Sequence, residues 1–179
     1  TPFPRFEAPK STVIEARDGT LFGARIAGDG QWRFPEPDSV PGKFEKALLT
    51  FEDKYFYWHP GINPVSVVRA MSDNIKAGEI GSGGSTITKQ VARIARGNRQ
   101  RTYPEKIIEM LSALKLELFR SKKEILGMYA ANAPFGGNIV GLEAAAWRYT
   151  GKSSESITWA EAAALAVLPN SPALVFPGK

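Results

Sequence analysis

Apolar residues recur at helical spacing over most of the chain beyond residue 40. The first such stretch contains Phe44, Ala47, Leu48 and Phe51, and it predicts a helix over about residues 43–53. Start signals for further helices are Asn63 before Pro64, Ser85 or Thr86, and capping boxes headed by Thr102, Ser121 and Thr158. Stop signals are Gly78, Gly97 and Gly151, the last of which closes a helix over about 139–149. The helix that Thr102 begins has an apolar stripe made of Ile107, Leu111, Leu114 and Leu118.

The pattern before residue 40 is of the β type. Residues 12–16 and 20–26 flank the Asp18-Gly19 turn signal and predict a hairpin, and a second turn at 28–30 leads to a further segment at 31–34. The predicted fold is therefore mainly α (α+β), with a small N-terminal β-hairpin. We assign residues 1–179 to a single domain, with 1–40 as the β and linker segment and 41–179 as the helical region.

Composition narrows the classes of function. The sequence is 43% hydrophobic with a formal net charge of +5, which favours an anionic partner. It contains no cysteine and one histidine, so thiol chemistry is excluded and a histidine-rich zinc site is not expected. No run approaches the roughly 20 apolar residues of a membrane span. Nucleic acid is not the expected partner, because the basic residues do not form a stripe with aromatic ones.

Glu52 is the first candidate for chemistry. It follows Leu48 by four residues and Phe44 by eight, so it falls on the side of the helix that the apolar pattern buries. A desolvated carboxylate has a raised pKa, which suits a general base. The alternative is a glutamate at a frayed helix end, turned to water or paired with Lys54. The residues alone leave both interpretations open.

Five blocks of sequence occur in an order typical of one family. Residues 52–61 read Glu-Asp-x-x-Phe-x-x-His-x-Gly, and residues 83–90 read Gly-Gly-Ser-Thr-Ile-Thr-x-Gln. Both blocks resemble the first two signature motifs of the peptidoglycan glycosyltransferases (glycosyltransferase family 51). The resemblance continues through Lys106-x-x-Glu109, residues 123–129 and residues 136–146, and covers roughly residues 11–175. Residues 133–137 and 11–35 are most similar to the 1C subtype of class A penicillin-binding proteins.

The resemblance implies a reaction and a setting. In the family, lipid II is polymerised into β-1,4 glycan strands: the GlcNAc 4-hydroxyl of one unit attacks C1 of the MurNAc of another, the anomeric centre inverts and undecaprenyl diphosphate leaves. The implied fold is a lysozyme-like, two-lobed helical domain, with residues 78–100 in a smaller membrane-facing lobe. The implied partners are lipid II, the nascent glycan chain and the membrane surface. The implied location is the periplasmic face of the bacterial inner membrane, in a longer protein that adds a membrane anchor and a transpeptidase domain.

The resemblance also assigns roles to individual residues. Glu52 matches the catalytic base. Glu109 matches a second catalytic carboxylate that organises the diphosphate side or holds Mg²⁺ or Mn²⁺, and no organic cofactor is implied. The substrate-binding positions carried over from the family are Phe56, Arg69, Gly84, Ser85, Thr86, Gln90, Arg93, Arg101 and Lys106. The helix N-terminus after Thr86 also favours an anion, and His59 is expected to orient its loop.

Local alternatives accompany these roles. Glu109 could instead form a solvated pair with Lys106 at i, i+3, and each arginine could be a solvated surface charge. Two departures from the family pattern stand out: Glu105 replaces an arginine, and Ala130-Ala131 replaces Leu-Asn. Alternative functions are a lysozyme-like hydrolase or lytic transglycosylase, which would release soluble muropeptides, and a non-catalytic module that binds lipid II without turnover.

Overall fold

The computed structural model describes residues 6–63, 85–97 and 102–170. Within these ranges the chain forms six α-helices and four short strands. The helices are α1 Gly42–Glu52, α2 Ile87–Ala95, α3 Tyr103–Phe119, α4 Lys122–Asn132, α5 Leu142–Thr150 and α6 Trp159–Val167. The strands are β1 Thr12–Glu15, β2 Leu21–Arg25, β3 Pro134–Gly136 and β4 Ile139–Val140. The prediction of a mainly α fold with a small N-terminal hairpin is confirmed.

The N-terminal hairpin follows its turn signal. β1 and β2 pair antiparallel, with Thr12 opposite Arg25, and Gly19 adopts the positive φ of 81° that the turn requires. Asp18 accepts a hydrogen bond from the Thr20 backbone N–H at 3.0 Å. The further β segment predicted at 31–34 is reduced to an isolated bridge between Trp32 and Ile139.

Helix starts are set by short polar side chains, as predicted. Thr86, Thr102 and Thr158 each accept a hydrogen bond from the backbone N–H three residues later, at the first turns of α2, α3 and α6. Ser121 and Glu124 exchange hydrogen bonds at the start of α4. The helix predicted between Asn63 and Gly78 lies outside the described residues.

One helix begins later than predicted. The expected helix over 139–149 starts at Leu142, because Ile139 and Val140 pair with Pro134–Gly136 in a second antiparallel hairpin. Gly141 has a φ of 91° at the junction, a conformation that L side chains rarely adopt. The predicted end is confirmed, since Gly151 is a left-handed C-cap.

The apolar stripe predicted on α3 does not face the protein core. Within the predicted stripe, Ile107, Leu111 and Leu118 are 54%, 51% and 80% exposed and Leu114 is partly buried, whereas the buried side of α3 carries Glu109 and Leu116. The helical period of the prediction is correct, but the helix face predicted to be buried is wrong. Two carboxylates, from Glu105 and Glu109, therefore lie one turn apart on the buried side.

The chain divides into two compact units, of which one contains Glu52–Leu126 and the other contains Phe6–Phe51 and the chain from Gly127 onward. In the latter unit Phe44 and Leu48 are fully buried, and the Phe44 and Phe135 rings pack with their centroids 6.1 Å apart. Lys43 donates to the Ile157 carbonyl at 2.8 Å. Among the described residues, no helix combines the length and the apolar character needed to cross a membrane.

Glu36 lies against the start of α5. Its Oε1 accepts a hydrogen bond from the Glu143 backbone N–H at 3.4 Å, and a Cβ added at Gly141 would lie 2.5 Å from the same oxygen. Burial, opposed by that hydrogen bond and reinforced by the nearby charge of Glu143, raises the pKa of Glu36 to about 8. The folded chain therefore holds a proton there at neutral pH that the unfolded chain has released.

Glu36→Gln is expected to stabilise the protein at alkaline pH. Between the ordinary pKa of a glutamate and the raised value, the wild type loses stability as pH rises, because ionisation is disfavoured in the folded state. Glutamine cannot ionise but keeps an oxygen for the Glu143 N–H. We expect the variant to match the wild type near pH 4 and to exceed it by about 1–3 kcal/mol above pH 8. Thermal unfolding at pH 4, 7 and 9 measures this, with Glu15→Gln as the surface control, and a difference that does not grow with pH contradicts it.

Candidate active site

Glu52 is the last residue of α1, and its carboxylate is held by one hydrogen bond from α2. Gln90 Nε2 donates to Glu52 Oε2 at 2.9 Å. Glu52 Oε1 is buried and has no hydrogen-bond partner among the described residues. One oxygen of this carboxylate is thus fixed in place, while the other keeps its full capacity to accept a proton or a hydrogen bond.

The environment of Glu52 shifts its titration in the direction that the sequence predicted. Burial raises the pKa of the Glu52 carboxyl, the hydrogen bond from Gln90 acts against that rise, and the charge of the adjacent Asp53 adds to it. The prediction of a desolvated carboxylate is confirmed. Its alternative, a glutamate turned to water at a frayed end, is wrong because the turn before it carries the fully buried Leu48 and Gln90 holds its side chain.

Asp53 joins the first sequence motif to the second. Its Oδ1 lies 2.8 Å from His59 Nε2, and its Oδ2 accepts a hydrogen bond from the Ile87 backbone N–H at 3.1 Å. Asp53 and His59 are both buried. The anion at the N-terminus of α2 is therefore one of the protein's own carboxylates, whereas the sequence favoured a substrate anion there. His59 orients its loop through Asp53.

A second set of contacts holds the segment 53–61 in place. Thr86 Oγ1 donates to the Gly61 carbonyl at 2.6 Å, and Lys122 Nζ donates to the His59 carbonyl at 2.7 Å. Lys122 also lies over the Phe56 ring, 4.4 Å from its centroid. Gly61 has a φ of 78°, and a Cβ there would lie 2.9 Å from Glu117 Cγ, so only glycine fits.

These contacts bear on two predicted substrate residues. Thr86 is buried, and its hydroxyl is hydrogen-bonded within the protein on both its donor and acceptor sides. Phe56 is also buried, packing against His59 and Lys122. Neither arrangement supports direct contact with a substrate. Both residues instead shape the loop that follows Glu52.

Glu109 forms an ion pair with Arg93 and is shielded from solvent. Arg93 Nε and Nη2 donate to Glu109 Oε1 and Oε2 at 3.0 and 3.2 Å, a two-point contact between α2 and α3. The Glu109 side chain is 4% exposed and that of Arg93 is 21% exposed. The alternative of a solvated Lys106–Glu109 pair is wrong, because α3 turns Glu109 inward.

Two lysines share this charge cluster with Arg93 and Glu109. Burial lowers the pKa of Lys89, an effect that the charge of Glu109 opposes and the charges of Arg93 and Lys106 reinforce. Lys89 is therefore close enough to Arg93, Lys106 and Glu109 to interact with the charge of each. Lys89 stands at the unspecified position of the second motif, and the resemblance assigned it no role.

Glu105, which stands where the family pattern has an arginine, has a structural role of its own. Glu105 forms an ion pair with Arg96, and its backbone N–H donates to the Thr102 cap at 3.4 Å. The two Arg–Glu pairs, Arg93 with Glu109 and Arg96 with Glu105, join α2 and the residue that follows it to α3. Glu105 therefore serves the packing of these helices.

The arrangement at Glu109 does not fit a divalent cation. Both oxygens of Glu109 already accept hydrogen bonds from Arg93, and Lys89 and Lys106 add positive charge beside this pair. Hard divalent cations prefer several free oxygen ligands, and the described part of the chain contains no group of three or more His, Asp or Glu side chains that could hold one. The predicted involvement of Mg²⁺ or Mn²⁺ stays a prediction, and no step of the proposed reaction depends on it.

Several predicted residues cannot be placed beside this cluster. Arg69, Gly84 and Arg101 lie outside the described residues. Ser85 is partly buried directly before the Thr86 cap.

Sequence reasoning gave no role to Glu117, which accepts hydrogen bonds from Thr88 at 2.6 Å and Lys122 at 2.7 Å. No local signal could have found it, since Thr88 is 29 residues away along the chain.

Comparison with known proteins shows which proteins this sequence is similar to. The family described as Transglycosylase matches residues 21–179. The chain is 42% identical to penicillin-binding protein 1C of Escherichia coli (strain K12) over 99% of the chain and 23% of that protein. It is 38% identical to penicillin-binding protein 1A of Aquifex aeolicus over 92% of the chain and 22% of that protein. It is 34% identical to penicillin-binding protein 4 of Bacillus subtilis over 95% of the chain and 27% of that protein.

The chain thus spans about a quarter of the length of these relatives. The family description, Transglycosylase, agrees with the glycosyl transfer that the sequence predicted. The similarity to a 1C protein agrees with the predicted subtype. With the family matched over residues 21–179 and relatives aligned over almost the whole chain, the protein belongs to the transglycosylase family.

Proposed function

We propose that this domain polymerises lipid II into β-1,4 glycan strands. The oxygen at C4 of an acceptor GlcNAc forms a bond to C1 of the donor MurNAc, and the bond from C1 to the diphosphate oxygen breaks with inversion. The acceptor hydroxyl proton passes to a carboxylate base, and undecaprenyl diphosphate departs as an anion. The chemistry needs a base on one side of C1 and positive charge on the other.

Glu52 is the base in this proposal. The observation that carries the assignment is the asymmetry of its carboxylate: Gln90 holds Oε2, and the buried Oε1 has no partner among the described residues. A sugar hydroxyl could donate to Oε1 without displacing a protein group. The raised pKa of Glu52 makes it a stronger base than a solvated glutamate.

Arg93 and the two lysines beside it supply the positive charge. Gln90 and Arg93 are three residues apart on α2, about 4.5 Å along the helix axis, so one face of α2 carries both the partner of the base and a cation. The charges of Arg93, Lys106 and Glu109 all act on Lys89. Such a cluster suits a diphosphate, whose charge grows as the bond to C1 breaks. Glu109 holds the guanidinium of Arg93 in a fixed orientation.

The setting is part of the proposal. The substrates would be lipid II and the nascent glycan chain, presented at a membrane surface on the periplasmic face of the bacterial inner membrane. A membrane anchor and a transpeptidase domain would belong to the same longer chain. The support is the name shared by the relatives, which are penicillin-binding proteins of about four times the length. The predicted single domain and its two lobes are consistent with this setting and stay predictions.

The proposal predicts polymer from lipid II and no digestion of cell-wall sacculi. The protein would be incubated with lipid II in detergent, with products resolved by size, and in parallel with purified sacculi. Glycan polymer with no soluble muropeptides supports the proposal. Muropeptides released from sacculi would instead establish a hydrolase, and measurable lipid II binding without any polymer would establish a binding module. Either result overturns the proposed function.

A further inference from the structure

Asp53 has no assigned role in the reaction, yet it has two buried partners. One oxygen lies 2.8 Å from His59 Nε2 and the other accepts the Ile87 N–H at 3.1 Å. Asp53 is 5% exposed and His59 is 6% exposed. Both oxygens of a nearly inaccessible carboxylate are therefore engaged, one by its own loop and one by α2.

The contact with Ile87 fixes the first turn of α2. Ile87 is the first residue of this nine-residue helix, where backbone N–H groups have no partner within the helix. A carboxylate at this end also interacts favourably with the helix dipole. Thr86 adds a second anchor to the same loop, through its hydrogen bond to the Gly61 carbonyl.

Glu52 and Gln90 lie on either side of this anchor. Glu52 directly precedes Asp53 in the chain, and Gln90 follows Ile87 by three residues, within the first turn of α2. A shift of that turn would move the Gln90 amide relative to the Glu52 carboxylate. The 2.9 Å hydrogen bond between them is therefore sensitive to the position of that turn.

We propose that Asp53 is a positioning residue for the base: its carboxylate fixes the first turn of α2 and thereby the hydrogen bond from Gln90 to Glu52. The inference deepens the proposed function and rests on it for the catalytic consequence. Its structural part, the placement of α2 against Glu52, stands independently of any substrate.

The charge of Asp53 has a second effect on Glu52. Burial is the largest cause of the raised pKa of Glu52, and the hydrogen bond from Gln90 opposes it. The charge of Asp53 raises this pKa further. Among the described residues, the groups that act on Glu52 are the neutral Gln90 on α2 and Asp53 in the loop, the latter paired with His59. Removing the charge while keeping the hydrogen bond to Ile87 should therefore lower the pKa of Glu52 and leave α2 in place.

Asp53→Asn and Asp53→Ala separate these effects. Asparagine keeps an oxygen that can accept the Ile87 N–H, whereas alanine removes it. Asp38→Asn, at an exposed loop position, is the matched control. Three quantities would be measured for each: the titration of the Glu52 carboxyl carbon by NMR, hydrogen exchange of the Ile87 amide, and kcat and KM with lipid II across pH.

For Asp53→Asn we expect the Glu52 titration and the acid limb of kcat/KM to move to lower pH, with Ile87 protection within about threefold of wild type. For Asp53→Ala we expect Ile87 protection to fall by more than about tenfold, and kcat per folded molecule to fall by about 10²-fold with KM nearly unchanged. A role confined to overall stability would lower the folded fraction and leave the titration of Glu52 unmoved.

Full Ile87 protection in Asp53→Ala overturns the proposal, because the carboxylate would then not fix the first turn of α2. If Asp53→Ala does not fold, Asp53→Leu decides by the same measurement, since leucine fills the buried position but cannot accept the Ile87 N–H. An unmoved Glu52 titration in Asp53→Asn overturns the charge effect on Glu52. The titration and the exchange need no substrate. A wild type that makes no polymer would therefore refute the proposed function while leaving the placement of α2 by Asp53 measurable.

Discussion

Glu52→Gln is expected to reduce glycan polymerisation by about 10²–10⁴-fold, the usual contribution of a positioned general base. Glutamine matches glutamate in shape, and its side-chain oxygen can still accept the hydrogen bond from Gln90. The variant therefore removes the proton acceptor with little change in geometry. Binding of lipid II should be retained, because the cations on α2 and α3 are unchanged.

The measurement is polymer formed from lipid II per folded molecule, resolved by size. Glu45→Gln on the same helix is the control, since it makes the same chemical change two turns before Glu52. The wild-type rate should also fall as pH drops through the raised pKa of Glu52, since protonation removes the base. Equal output from wild type and Glu52→Gln would rule out Glu52 as the base.

Arg93→Met is expected to impair both folding and turnover. Removing the guanidinium leaves the Glu109 carboxylate, whose side chain is 4% exposed, without its two-point partner. Loss of one partner of such a pair costs about 2–4 kcal/mol of unfolding free energy. The cost is below that of a fully buried pair because the Arg93 side chain is partly exposed. Turnover should fall by about 10²–10³-fold, since a cation facing the diphosphate is lost.

The double variant Arg93→Met/Glu109→Met separates the two effects. Removing both charges relieves the unpaired carboxylate, so the unfolding free energy should return close to that of the wild type. Turnover should stay low. Arg120→Met is the control, because its pair with Glu124 is exposed and contributes little. Turnover that recovered together with stability in the double variant would show that Arg93 only supports the fold.

The parts of this structure that the sequence predicts are those with local causes. Thr86, Thr102 and Thr158 begin helices because a hydroxyl accepts from a backbone N–H three residues ahead, and both partners are visible in one short stretch. The burial of Glu52 follows in the same way from Phe44 and Leu48 on its own helix. The sequence of a single helix is therefore enough to identify Glu52 as the first candidate catalytic residue.

Contacts between helices could not be predicted in this way. The buried side of α3 carries Glu105 and Glu109, paired with Arg96 and Arg93, beside the fully buried Ala113 and Leu116, and it is not the side of the predicted apolar stripe. Hydrophobic periodicity cannot detect buried positions that are occupied by ion-paired carboxylates. The partner of Asp53 at Ile87 is 34 residues away, so the sequence showed only an acidic pair.

Glu52 occupies the last residue of α1, where the helix dipole presents its negative end, and the last turn contains no basic residue. A carboxylate is among the least favourable side chains for that position, and partial burial adds to its disadvantage. A lysine there would complement the dipole. Stability alone therefore disfavours a glutamate at position 52, and under the proposed role as base this one side chain sets folding against chemistry.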